Sequence, residues 1–218
     1  MMLEGPRWGP AEGETPRQLV LLCHGVGADG SNLIDLAPAW GRALPQAVFV
    51  APTAPDRYDQ DPVGMGRQWF SLADRTPAIM AAGVRQAATV LNPFIDAELE
   101  RLRLPQTAYA MMGFSQGAMT VLFTGLRRAV APRAILAYSG ALLAPDRLGA
   151  ELANRAPVLL VHGEADDVVP VQRSRDAEQA LRAAEVPVEA HYFPALGHWI
   201  DEAGIGLGAS ALQRAFAA

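Results

Sequence analysis

Six short apolar runs, each bounded by Gly, Pro or polar residues, alternate with longer stretches of helical periodicity from Gln18 to the end of the chain. That alternation is the most restrictive feature of the sequence. Strands separated by crossover helices build a mostly parallel central sheet with helices on both faces. The runs are Gln18–Cys23, Ala47–Ala51, Ala108–Met112, Arg133–Ser139, Pro157–Val161 and Glu189–Phe193, read as strands. Helices are expected over Thr76–Arg103, with Pro93 kinking or splitting it, and over Gln116–Arg128, Val171–Ala184 and Ala209–Ala217. No repeat or linker interrupts the pattern. With 218 residues, one domain over 17–218 preceded by an N-terminal extension, 1–16, is expected.

Composition excludes several function classes. All 18 basic residues are arginine, which removes lysine Schiff-base chemistry and the P-loop lysine. A net charge of −5 lacks the basic footprint of a nucleic-acid binder. No apolar stretch approaches the roughly 18 residues of a membrane span, so no stable membrane association is expected. The start carries Glu4, Pro6, Pro10, Glu12 and Pro16, unlike a signal peptide. Cys23 is the single cysteine, which fits a reducing, cytoplasmic setting. No His, Cys and carboxylate cluster has metal-ligand spacing. Neither a metal nor a cofactor is expected.

The chemistry is carried by Gly113-Phe114-Ser115-Gln116-Gly117, which directly follows the third predicted strand and opens a predicted helix. A serine on such a sharp strand-to-helix turn projects its hydroxyl over the sheet edge, and small flanking residues let backbone pack around it. Ser115 is therefore the candidate nucleophile. A serine hydroxyl needs a base and an acid that orients the base, in the chain order Ser, acid, His. Of the four histidines, His198 follows the last strand in a loop at the carboxyl edge of the sheet, where catalytic groups of such sheets gather. His24 and His162 end strands inside His-Gly pairs, where packing roles are expected, and His191 lies within a strand. The acid is sought just past the strand ending at Val161, where Glu164, Asp166 and Asp167 compete. Spacing alone does not separate the two aspartates.

A tetrahedral intermediate also needs two backbone N–H donors. One comes from Gln116, the residue after the nucleophile, and one from Val26 in the glycine-rich turn His24-Gly25-Val26-Gly27. Residues 25–30 match the letters of a dinucleotide turn, but without the helix spacing or ribose-binding carboxylate that such a site requires. The longest irregular segment, Pro52 to Arg75, holds Met65, Trp69 and Phe70 among charged residues. Met65, Trp69 and Val168 are candidate contacts for an apolar substrate group.

Over nearly the whole chain from Arg17, the sequence resembles the phospholipase/carboxylesterase family of α/β-hydrolases, which includes acyl-protein thioesterases and small bacterial carboxylesterases. The resemblance rests on His24-Gly25-Val26-Gly27, Pro52-Thr53-Ala54-Pro55, Gln68-Trp69-Phe70, Gly113-Phe114-Ser115-Gln116-Gly117, His162-Gly163-Glu164-Ala165-Asp166 with Val169-Pro170, and Gly197-His198. It implies an α/β-hydrolase fold, a triad of Ser115, Asp166 and His198, and an oxyanion hole of Val26 and Gln116. It also implies an acyl site bordered by Gln68-Trp69-Phe70. Departures at Ala28, Ala118, Ala195 and Asp167 lean toward the bacterial carboxylesterase branch. About 17 residues separate Ser139 from Pro157, too few for a separate cap domain. The expected activity is hydrolysis of small-molecule carboxylic esters through an acyl-enzyme. Thioester or lysophospholipid hydrolysis is the alternative within the class, and a non-catalytic hydrolase-fold binding module the alternative outside it.

Overall fold

The computed structural model describes residues 3–61 and 64–217. In chain order the elements are β1 (Arg7–Trp8), β2 (Gln18–Cys23), α1 (Gly30–Ile34), α2 (Ala37–Gly41), β3 (Ala47–Val50), β4 (Asp56–Arg57), β5 (Arg67–Gln68), α3 (Pro77–Arg101), β6 (Tyr109–Phe114), α4 (Gln116–Arg127), β7 (Ile135–Tyr138), α5 (Leu148–Glu151), β8 (Val158–Gly163), α6 (Gln172–Ala183), β9 (Val188–Phe193) and α7 (Glu202–Ala217). Seven strands form one sheet in the order β1-β3-β2-β6-β7-β8-β9. Every pairing in it is parallel except that of β1 with β3.

The sheet is buried on both faces, which is why its inner strands read as continuous apolar runs rather than as an alternation. Leu19, Leu21 and Cys23 of β2 point into one core, with Leu91, Ile95 and Leu99 of α3, Leu122 of α4 and Leu181 of α6. Val20 and Leu22 point into the other, with Trp40 of α2 and Leu212 of α7. All six expected strands are present. Among the described residues no helix is long and apolar enough to cross a membrane.

The structure departs from the sequence reading in four places. Part of the stretch read as an extension joins the sheet as β1, tied down where Arg7 and Arg101 both reach the buried Glu98. The helix over 77–101 is continuous through Pro93; burial of Leu91, Phe94 and Ile95 against the core offsets the one backbone N–H that proline lacks. The loop from Pro52 contains a two-stranded ribbon, β4 with β5, and an isolated bridge from Ala28 to Arg67 pins that ribbon to the glycine turn after β2. Helix α7 begins seven residues earlier than expected because Gly204, Gly206 and Gly208 hid its first turns. The reason for one of them is spatial. A Cβ at Gly208 would lie 2.4 Å from the Tyr138 hydroxyl and 2.7 Å from the Trp40 ring, so only glycine allows α7 to sit against both.

Candidate active site

The carboxyl ends of β2, β6 and β8 and the loop after β9 meet at one edge of the sheet, and each delivers part of the predicted site. Ser115 sits between β6 and α4 with φ 54° and ψ −118°. A non-glycine residue at positive φ is strained, at a cost of order 1–3 kcal/mol, and here the surroundings enforce it. The Ser115 N–H donates to the Tyr138 carbonyl at 2.9 Å, and its carbonyl accepts from Met119. A Cβ at Gly113 would be 2.3 Å from the Gly117 backbone, and one at Gly117 would be 1.9 Å from the Cys23 carbonyl oxygen. Both flanking glycines are therefore required by close approach of backbone.

Asp166 and His198 are brought together. His198 Nδ1 donates to Asp166 Oδ2 at 2.7 Å, with the aspartate side chain fully buried. Asp166 Oδ1 accepts the backbone N–H groups of Val168 and Val169 at 2.9 and 2.8 Å. Burial alone would push the Asp166 carboxyl up, but the hydrogen bonds from His198, Val169 and Val168 outweigh it and hold the group below its usual range. Asp167 is exposed. The imidazole of His198 lies against the Phe114 ring at a centroid distance of 4.7 Å, which sets it beside the turn that carries Ser115.

The backbone N–H groups of Val26 and Gln116 have no intramolecular acceptor among the described residues, while neighbouring Gly27 and Ala28 do. Two further side chains, which sequence reasoning gave no catalytic setting, organise this corner. His24 is buried; its Nδ1 donates to the Gly25 carbonyl at 2.7 Å and its Nε2 accepts from the Ala54 N–H at 2.9 Å. Burial pushes its pKa down, so the ring is a neutral brace between the turn after β2 and the segment after β3. The Gln116 amide accepts from the Trp69 N–H and donates to the Phe70 carbonyl. Apart from the bond to the adjacent Gly25, no spacing rule reveals these pairs, because each joins a side chain to a backbone group 30 or more residues away.

The expectation for Trp69 is corrected. It is 1% exposed, packs in the core, and donates its indole N–H to the His24 carbonyl at 2.8 Å. Gln68 and Phe70 are also buried, so the 68–70 stretch supports the site from below and gives no open wall. The apolar ring in a polar loop covers the core rather than a groove. Met65 and Val168, in contrast, are 85% and 59% exposed. His191 pairs with Glu189 on β9. Burial pushes the Cys23 thiol well up, which leaves it no nucleophilic role near neutral pH. Among the described residues no group of His, Cys, Asp and Glu could hold a metal ion.

A mostly parallel sheet with a strained serine turn after its central strand, a histidine paired with a buried acid after later strands and, among the described residues, no separate cap is the architecture of an α/β-hydrolase. The phospholipase/carboxylesterase family profile matches residues 11–212, and the chain belongs to that family. It is similar to the solved structure of esterase PE8, at 37% identity and a TM-score of 0.92 over 98% of this chain and 99% of that one. It is 27% identical over 179 residues to acyl-protein thioesterase 1 of Kluyveromyces lactis, covering 78% of each chain. It is 28% identical over 210 residues to a probable inactive carboxylesterase of Oryza sativa subsp. japonica, covering 88% of this chain and 82% of that one. The protein is a hydrolase of the carboxylesterase and thioesterase class.

Proposed function

We propose that this chain is a serine carboxylesterase in which Ser115, His198 and Asp166 form the triad and the N–H groups of Val26 and Gln116 form the oxyanion hole. The observation that carries the reading is the 2.7 Å hydrogen bond from His198 to the buried Asp166 beside a serine held at φ 54°. His198 Nε2 takes the Ser115 proton as Oγ attacks the ester carbonyl, and Asp166 stabilises the imidazolium that forms. Charge on the carbonyl oxygen is met by two N–H donors already free of internal partners. The proton passes to the leaving alcohol, and water, activated by the same histidine, releases the acid from Ser115. The chain works as a single domain, and its site is open. Met65 and Val168 then offer an apolar rim for an acyl group of modest length.

Thioesters are the second reading, favoured by the similarity to an acyl-protein thioesterase. A panel of p-nitrophenyl esters of two to twelve acyl carbons, run beside acyl-CoA, tests the assignment. Turnover of short and medium esters with kcat/KM above that of acyl-CoA supports the esterase reading; a reversed ranking replaces it with the thioesterase, and no turnover of either refutes both.

A further inference from the structure

We propose that His162 is a positioning residue for this reaction, holding through its Nε2–H the same Asp166 oxygen that receives His198. The inference rests on the proposed triad and extends it by one residue. His162 ends β8 and is fully buried. Its Nε2 lies 2.8 Å from the Val169 carbonyl oxygen and 3.2 Å from Asp166 Oδ2. Both are acceptors, so a bare nitrogen there would face two negative atoms and the proton belongs on Nε2. On the other side, Nδ1 lies 2.6 Å from Ser174 Oγ of α6. The hydroxyl turns its proton to that nitrogen in preference to the Gly140 carbonyl, which is farther away at 3.3 Å.

The charged or titratable groups that bear on His162 are Asp166, which favours its protonation, and His198, which opposes it. Burial is the largest influence and keeps the ring neutral. His162 thus offers Asp166 a fixed dipole and no charge. The carboxylate then has two backbone N–H groups on Oδ1 and the His198 N–H on Oδ2, with the His162 N–H, shared with the Val169 carbonyl, 3.2 Å from that same Oδ2. That arrangement has two consequences. Held through both oxygens, the carboxylate is restrained from rotating away from His198. The second donor on Oδ2 also draws electron density from the oxygen that stabilises the His198 imidazolium. Removing it strengthens the remaining pair, favours the charged form of His198, and raises the pH needed to free the base.

The test compares His162→Leu, His162→Gln and Ser174→Ala in full-length protein, with kcat, KM and the pH profile of kcat/KM measured on p-nitrophenyl butyrate. Loss of a hydrogen bond to a charged group predicts a fall in kcat of about 10- to 100-fold for His162→Leu. KM should stay within about twofold of wild type, and the acid limb should move to higher pH. A glutamine amide reaches the Nε2 position, so His162→Gln should recover most of kcat and return the limb. Ser174→Ala frees Nδ1 and should move the limb the same way by less. A purely structural His162 would lower thermal stability while leaving kcat and the limb of the folded variants unmoved. That outcome overturns the proposal, as does a glutamine variant no better than leucine. If His162→Leu does not fold, an alkaline shift in Ser174→Ala supports the proposal and an unmoved limb overturns it. Fluorophosphonate labelling of Ser115 in the wild-type protein reports the triad separately. Labelled wild type with unresponsive His162 variants sinks this inference alone; unlabelled folded wild type sinks the triad and this inference with it.

Discussion

Gly117→Ala adds one methyl group where α4 crosses the end of β2. The new Cβ would be 1.9 Å from the Cys23 carbonyl oxygen, 2.5 Å from the Cys23 carbonyl carbon and 2.6 Å from the His24 carbonyl oxygen. All three are backbone atoms, so no side chain can rotate away. Reaching even the 3.0 Å below which such contacts are essentially never found requires at least about 1.1 Å of separation between the two segments. The segments are those that carry the Val26 and Gln116 N–H groups, so the proposed oxyanion hole opens by a comparable distance. A displacement of about 1 Å at a reacting centre costs on the order of 10²-fold in rate, and overpacking costs about 1–3 kcal/mol of stability. The assay is kcat/KM on p-nitrophenyl acetate together with urea denaturation. The expected result is a drop of about 10²-fold, mainly in kcat, with a lower denaturation midpoint. A variant with wild-type kcat/KM and wild-type stability would show that neither the close approach nor its role in the oxyanion hole is as described.

Asp166→Asn should cost about 10⁴-fold in kcat by placing an amide where His198 Nδ1 needs an acceptor, whereas Asp167→Asn should leave kcat within about threefold because that side chain is exposed; the opposite order in steady-state kinetics would reassign the acid. Trp69→Ala should cost about 3–5 kcal/mol in urea unfolding without changing the preference for short over longer acyl chains, and a changed preference at unchanged stability would return Trp69 to the groove. Stability should also fall with pH in two windows. His24 and His162 are held below their usual range when folded, so the unfolded chain binds more protons just below the unperturbed value of about 6.5. Each histidine then removes up to about 1.36 kcal/mol per pH unit as pH falls from there toward its folded value. Asp166 adds a further loss only as pH drops below about 3.9, through its depressed folded value. Unfolding free energies that stay level from pH 7 to pH 5 would contradict the neutral, braced histidines.

The strands were legible because a parallel sheet buried on both faces needs short, apolar, β-branched segments, and Gln18–Cys23 matches its expected bounds. Ser115 and His198 were legible as candidates for a chemical reason, whereas only the family resemblance singled out Asp166 from Asp167. A strand-turn-helix around Ser115 admits few residue types, and only one histidine lies past the last strand. What escaped was set by contacts between distant segments. Three glycines weakened the helical signal of α7, although Gly208 is there to admit Tyr138 and Trp40. Trp69 was read from its polar loop as covering a groove, but the ribbon of β4 and β5 folds that loop inward and buries the ring. His24 and His162 carry no local mark of their bracing roles, since their partners Ala54 and Ser174 lie 30 and 12 residues away.

Turnover through the proposed triad acylates Ser115. Intact-mass spectrometry followed by peptide mapping, after incubation with a fluorophosphonate or after an acid quench of p-nitrophenyl acetate turnover, reads it directly. The expected result is a single adduct of the expected mass on Ser115, lost in Ser115→Ala while that variant keeps its fold. A folded wild-type protein that hydrolyses the ester with no adduct on Ser115, or with the adduct on another residue, would contradict it.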